Sequence, residues 1–463
     1  MVGGGIAGLA AAWEAVQAGA RVTLVEADDR VGGKIRTEPF CGRPLDTGPD
    51  AFLAQVPEGR ALAEEVGLGG DLIAPSATAA SVWVGHRLRR LPAGLVLGIP
   101  TDLPALARSG ICSPIGLARA TLDLVLPGEA PTTDVAVGAL VRRRLGRQVF
   151  ERLVDPLLGG INAGRSDQLS LQAGVPQLAG AFDRRSLILG ARAQRRAAVP
   201  TGQPVFLTTA GGLGHLVDRL AQRLVEAGAV LHTGWGAAGL EAADHGWRVW
   251  RAQNRPDGTI DAETADAVVL ATPAQPTATL LAAVATPAAS ELRSIEHASV
   301  AIVALAYPTT SLGHTLAGSG FLVPRRQGWL MTACSWASSK WPAVAPAGMA
   351  VLRVSAGRAG DRRALRLADE DLVRRLHIEV RTAMGATDEP TAWRVSRWTD
   401  GFPQYAPGHL DKVARIEAAL PAGIEVAGAA YRGVGIPSCI RQGRAAATRA
   451  LAATSPDPTA RSL

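Results

Sequence analysis

A glycine signature at the very start of the chain restricts it to few folds. Gly3, Gly5 and Gly8 have GxGxxG spacing, and an alanine-rich amphipathic stretch follows until Gly19 ends it. Arg21-Val22-Thr23-Leu24-Val25 then reads as a strand that stops at Glu26, 18 residues beyond Gly8. Turn, helix, strand and acid in this order make a unit that binds a dinucleotide. Gly3 allows the tight turn, Gly5 lets backbone N–H groups approach a pyrophosphate, and Gly8 permits close helix–strand packing. Gly4, Ile6 and Ala7 complete the loop, whose helix N-terminus supplies partial positive charge. Glu26, followed by Ala27, accepts hydrogen bonds from a ribose diol. A full strand normally precedes such a loop, whereas only Met1 and Val2 do so here. The site is therefore expected to be weakened and to hold its cofactor poorly on purification.

The segment after the acid separates a flavin from a nicotinamide dinucleotide. Asp29-Arg30-Val31-Gly32-Gly33-Lys34-Ile35-Arg36-Thr37 places a second glycine pair and an arginine directly behind Glu26. This arrangement resembles the flavoprotein superfamily of amine oxidases, phytoene desaturases and porphyrinogen oxidases. The resemblance implies FAD, with Gly33 and Lys34 in a loop passing under the pyrophosphate and flavin, and Arg36 as a fixed charge. Asp46-Thr47-Gly48-Pro49-Asp50-Ala51-Phe52 continues it, so Gly48, Pro49, Asp50 and Ala51 are expected beside the isoalloxazine. Ala237 falls where related flavoproteins place a small residue whose backbone contacts adenine.

At 463 residues the chain is long enough for two or three domains. The net charge of +7 comes without a dense Lys/Arg run interleaved with aromatics, so no nucleic-acid partner is indicated. Cys41, Cys112, Cys334 and Cys439 are scattered without metal-ligand or disulfide spacing. No metal site is expected, and a cytoplasmic location fits. Prolines at 273, 276 and 287 interrupt the longest uncharged run, leaving peripheral membrane contact at most. Helical patterning through the middle reads as an insertion. The expected organisation is an α/β fold: a Rossmann-like FAD-binding domain (1–61, 199–290, 415–463), a mixed-sheet substrate domain (62–84, 291–414) and an inserted helical lobe (85–198).

The C-terminal stretch narrows the reading. Gly428 lies in Glu425-Val426-Ala427-Gly428-Ala429-Ala430-Tyr431, and Val434, Gly435 and Ile436 lie in Gly433-Val434-Gly435-Ile436-Pro437-Ser438-Cys439-Ile440, with Gly443 opening an alanine-rich helix. Strand, glycine turn and helix N-terminus would present N–H groups to the electron-rich edge of a flavin. These residues resemble the porphyrinogen oxidase family, in which such a run lies at the flavin, and so do Thr332-Ala333-Cys334-Ser335-Trp336 with Lys340-Trp341-Pro342, and Trp398 with Phe402-Pro403-Gln404-Tyr405. The resemblance implies oxidation of a porphyrinogen by molecular oxygen, with hydride passing to flavin N5 and no catalytic side chain. Coproporphyrinogen III is the first choice of substrate. Protoporphyrinogen IX, a flavin amine oxidase activity, and a non-catalytic degenerate flavin fold stay open. Arg87, Arg89, Arg90 and Lys340 are the cations considered for the substrate carboxylates.

Overall fold

The computed structural model describes residues 1–454 apart from 127, 129, 183, 198–203 and 253–260. The boundary expected at 198–199 lies outside the described residues. Three distant parts of the chain build a parallel sheet. Strand Thr23–Val25 pairs with Val230–His232 on one side, and Val268–Leu270 pairs with Ile424–Val426 on the other. Val2 joins the two halves: it bridges both Val25 and Leu270 in parallel, its N–H donates to Val269 O at 2.9 Å, and its carbonyl accepts from Ala271 N at 2.7 Å. Met1 and Val2 thus occupy the central strand position between the two halves.

Helix Ile6–Gln17 is almost wholly buried because alanine dominates it and can face a neighbour on every side. Its tightest neighbour is helix Ile436–Thr454: a Cβ on Gly443 would lie 2.1 Å from the Ala7 carbonyl oxygen. Gly443 therefore sets the contact between the chain's two ends, within a helix that already begins at Ile436. Helix Leu213–Glu226 buries Leu213, Leu216, Val217, Leu220 and Leu224, one face at helical spacing, against the same core. Helix Pro57–Glu65 joins this core through Leu62 and Ala63, although the sequence reading had 62–84 in the substrate domain.

The second layer is a seven-stranded sheet in the order Ala392–Pro403, His297–Pro308, Met349–Ala356, Met331–Trp336, Gly320–Leu322, Ala80–Trp83, Leu88–Arg90. All neighbours are antiparallel except Gly320–Leu322 beside Ala80–Trp83. Alternation divides the sheet into two faces. Val303, Leu305, Tyr307, Leu352 and Val354 pack with Leu372, Leu376 and Val380 of helix Asp369–Met384. The opposite face turns towards the 46–53 loop. Edge strand Leu88–Arg90 belongs to this sheet rather than to the inserted lobe, whose helices begin at Leu103.

The lobe has its own apolar core, with Leu106, Ile111, Val141, Leu145 and Ile188 fully buried. A buried pair fastens its helices: Arg144 Nε donates to Asp123 Oδ1 at 2.7 Å, and Asp123 Oδ2 accepts from Ser186 Oγ and Ile188 N. Among the described residues no helix is long and apolar enough to cross a membrane.

Candidate flavin site

The glycines of the first loop form a cradle that side chains would destroy. Gly3 has φ +101°, and a Cβ there would lie 2.9 Å from Ala271 O. One on Gly8 would stand 1.9 Å from Gly3 O, so the helix can start only with glycine at that position. Around Gly5 a Cβ would meet nothing within 4 Å, leaving the middle of the loop open to a ligand. Glu26 fixes the far wall: its carboxylate accepts from Gly4 N at 2.5 Å and from Asp28 N at 2.9 Å. Gly236 reaches Ala27, a Cβ on it lying 3.7 Å from Ala27 Cβ, so the turn before Ala237 borders the same end.

The second glycine pair folds under the first. Gly32 N donates to Gly4 O at 2.7 Å, and a Cβ on Gly33 would sit 3.3 Å from Gly5 Cα. Arg30 ties this loop, donating to the carbonyls of Val31, Ile35 and Gly33 at 2.9, 3.2 and 2.8 Å. Its place between acid and glycine pair was its only sequence signal. The half-exposed Arg36 side chain pairs with Glu38 at 2.5 Å, so its charge is answered within the protein. The Arg36 carbonyl accepts from Thr47 N at 2.8 Å and brings the 46–53 loop against this segment.

That loop is held from the sheet. Trp398 Nε1 donates to Thr47 O at 2.9 Å, with its ring beside Gly48. Arg353 donates to Gly48 O and lies 3.0 Å from Asp50 Oδ2. Lys340 Nζ contacts both Asp50 oxygens, at 3.1 and 3.0 Å, and Trp341 Nε1 donates to Oδ2 at 3.2 Å. Burial alone would raise this carboxyl's pKa, but the two cations outweigh it and hold Asp50 well below the usual range. The Asp50 side chain is thus an anchor into the seven-stranded sheet. Arg353 was missed at the sequence level. Its signal was a lone arginine in the apolar strand Met349–Ala356.

Lys34 completes the arrangement. Among the described residues it has no hydrogen-bond or ion-pair partner, and burial draws its ammonium below the usual lysine range. A Cβ on Gly401 would lie 3.4 Å from its Cε, and its charge acts on His297 and on Cys439 in the first turns of helix Ile436–Thr454. Gly428 lies by the first helix, a Cβ on it 4.0 Å from Ala7 Cβ, while Val434 packs on the lobe. The sheet, the glycine loops and the C-terminal helix therefore meet around Lys34.

Other residues considered from the sequence go elsewhere. Arg89 donates to Val84 O and Ser109 O, while Arg87 and Arg90 are exposed on the edge hairpin. Trp235 and Trp247 are buried in the nucleotide-domain core. His409 stacks on Tyr405 at 4.0 Å and contacts Tyr431 O at 2.8 Å, a packed histidine. Burial pushes the Cys439 thiol up to about 11, against a redox role.

Residues 6–451 match the family model for flavin containing amine oxidoreductase. A coproporphyrinogen III oxidase of Bacillus subtilis (strain 168) is 35% identical, with 97% of each chain covered. One from Mycobacterium tuberculosis (strain ATCC 25618 / H37Rv) is 37% identical over 95% of this chain and 94% of its own. Among solved structures, a putative protoporphyrinogen oxidase from Exiguobacterium sp. 255-15 superposes with TM-score 0.85 at 33% identity, covering 96% of this chain and 97% of its own. The whole chain, from the glycine cradle to the last helix, belongs to the flavin containing amine oxidoreductase family.

Proposed function

We propose that this protein oxidises coproporphyrinogen III to coproporphyrin III in haem biosynthesis, using bound FAD and molecular oxygen in the cytoplasm. The carrying observation is the near-complete alignment with relatives named for that activity. The site residues fit FAD: the loop is open at Gly5, filled by any side chain at Gly3 and Gly8, and followed by a half-buried cation, Lys34, that has no ion-pair partner among the described residues. Gly3, Gly4, Gly5, Ile6, Ala7, Gly8, Glu26 and Ala27 would hold the nucleotide and pyrophosphate. Gly33, Lys34, Arg36, Gly48, Pro49, Asp50, Ala51 and Trp398 would surround the flavin, with Gly428, Val434, Gly435 and Ile436 at its far edge and Ala237 near adenine. We assign the domains as the sequence reading divided them, with helix Pro57–Glu65 moved to the nucleotide domain and strand Leu88–Arg90 to the substrate sheet.

When bound, the flavin supplies the two-electron acceptor. The protein's own part is positional. With the flavin bound, Lys34 would contribute positive charge to the site, and the N-terminus of helix Ile436–Thr454 would add partial positive charge. Trp398 and Arg353 fix the 46–53 loop through its carbonyls, so the backbone is preorganised before substrate arrives. Protons released from the pyrrole system on oxidation pass to water or a base.

Purified protein reconstituted with FAD and given coproporphyrinogen III in air should produce porphyrin fluorescence together with peroxide. Faster turnover of protoporphyrinogen IX would move the assignment to the activity named for the Exiguobacterium structure. Peroxide formed only with amines would overturn it.

A further inference from the structure

Beside the Lys340–Asp50 pair lies a cavity of about 230 Å³. Its floor comes from three adjacent strands: Ala80, Gly320, Leu322, Ala333 and Ser335. Cross-strand partners point to one face, and here Gly320 opposes both Ala80 and Ser335, while Leu322 opposes Ala333. Ser335 in turn opposes Arg353, so the floor is on the face from which Arg353 reaches Gly48 and Asp50. The floor is flat by necessity at its centre: Gly320 has φ +136°, and a Cβ would stand 2.2 Å from Cys334 O. Pro75, Ala77 and Phe206 form apolar walls, and Lys340 supplies the charge.

The Lys340 ammonium is not fully used by its partner. Lys340 and Arg353 are two cations, and among the described residues Asp50 is the carboxylate that pairs with both. A lysine ammonium has three N–H donors, and the two Asp50 oxygens leave one over. The Phe206 and Trp341 rings flank that ammonium, their centroids 5.9 and 5.2 Å away.

We propose that this cavity is the subsite for one propionate-bearing pyrrole ring of the substrate, with the spare Lys340 N–H donated to the propionate. The assignment rests on the porphyrinogen reading above and selects within it. Pockets that enclose whole small ligands span roughly 300–1,000 Å³, so this cavity takes one ring and its side chain while the rest of the macrocycle lies outside. A vinyl group in the propionate's place would leave the spare Lys340 N–H without an acceptor, which disfavours protoporphyrinogen IX in this orientation.

The test compares wild type, Lys340→Met and Lys340→Arg, each loaded with FAD. It reads steady-state oxidation of coproporphyrinogen III and protoporphyrinogen IX, and binding of coproporphyrin III and its tetramethyl ester by porphyrin fluorescence. Loss of one charged hydrogen bond should raise KM for coproporphyrinogen III and the Kd of coproporphyrin III about 10-fold or more in Lys340→Met. KM should change more than kcat, Lys340→Arg should recover most of the loss, and ester binding should be equal in wild type and Lys340→Met. Ser335→Leu, which fills the floor without touching the ion pair, should weaken both porphyrins while flavin absorbance stays at the wild-type ratio, and it carries the test if Lys340→Met does not fold. Coproporphyrin III binding unchanged within twofold in both variants overturns the subsite and leaves the enzyme assignment standing. A wild-type protein that neither binds nor oxidises any porphyrinogen overturns both.

Discussion

Arg353 Nη1 lies 3.0 Å from Asp50 Oδ2 while its other terminal nitrogen donates to Gly48 O, so one buried guanidinium fastens the substrate sheet to the loop at the flavin site. Replacing Arg353 with Met removes both contacts and leaves Asp50 to Lys340 and Trp341. Breaking one side of a buried pair costs about 3 kcal/mol. Urea unfolding should show that loss, and the variant should retain less FAD after gel filtration. Wild-type stability and flavin content in Arg353→Met would contradict the anchoring role.

Asp46 gives the protein a pH signature. Burial pushes its carboxyl up to about 6 from 3.8, partly opposed by the Thr37 hydroxyl at 2.5 Å, by Arg353 and by Leu213 N at 3.0 Å. A carboxyl whose pKa is higher folded than unfolded contributes stability below the unfolded value and loses it as pH rises through the folded one. Asp46→Asn keeps an acceptor for both donors and cannot ionise. Its stability relative to wild type should therefore grow between pH 4 and pH 7, reaching about 2–3 kcal/mol. Thermal melts across that range check it, and parallel curves for the two proteins would refute it.

The nucleotide end rests on Glu26. Its two acceptor bonds, to Gly4 N and Asp28 N, shape the loop even before a ribose competes for the carboxylate. Glu26→Leu should weaken FAD binding by about 10- to 100-fold, the effect of losing charged hydrogen bonds. Titrating apoprotein with FAD by fluorescence quenching measures it directly. An unchanged Kd would place the ribose elsewhere.

The local chemistry of the fold was readable where it depends on short spacing. Gly3, Gly5 and Gly8 with Glu26 specify a turn, a helix and a strand within one segment, and the structure builds that unit. Partnerships across the chain were not readable. Nothing near residue 353 says that its strand will lie against residue 50, because that depends on the sheet order. Lys340 could not be ranked above Arg89 for the same reason: one reaches Asp50, the other caps backbone carbonyls of its own region. Strand Leu88–Arg90 was assigned to the lobe because three residues carry too little alternation to reveal a sheet edge.

Gly443 offers a test of how the two ends of the chain cooperate. A Cβ there would stand 2.1 Å from Ala7 O and 3.2 Å from Ala11 N, both backbone atoms of a buried helix that cannot move aside cheaply. Gly443→Ala must therefore push helix Ile436–Thr454 away from helix Ile6–Gln17, although alanine is the better helix former by about 1 kcal/mol. Overpacking of this kind costs about 1–3 kcal/mol and should outweigh the propensity gain. Because the moving helix carries Ile436 and the fixed one carries the Gly8 turn, separation opens the flavin site itself. The apoprotein should melt lower and FAD should dissociate faster, whereas Gly228→Ala, at an open turn beyond helix Leu213–Glu226, should cost stability without affecting FAD release. Equal FAD release rates in Gly443→Ala and wild type would mean that the close crossing of the two helices serves stability alone.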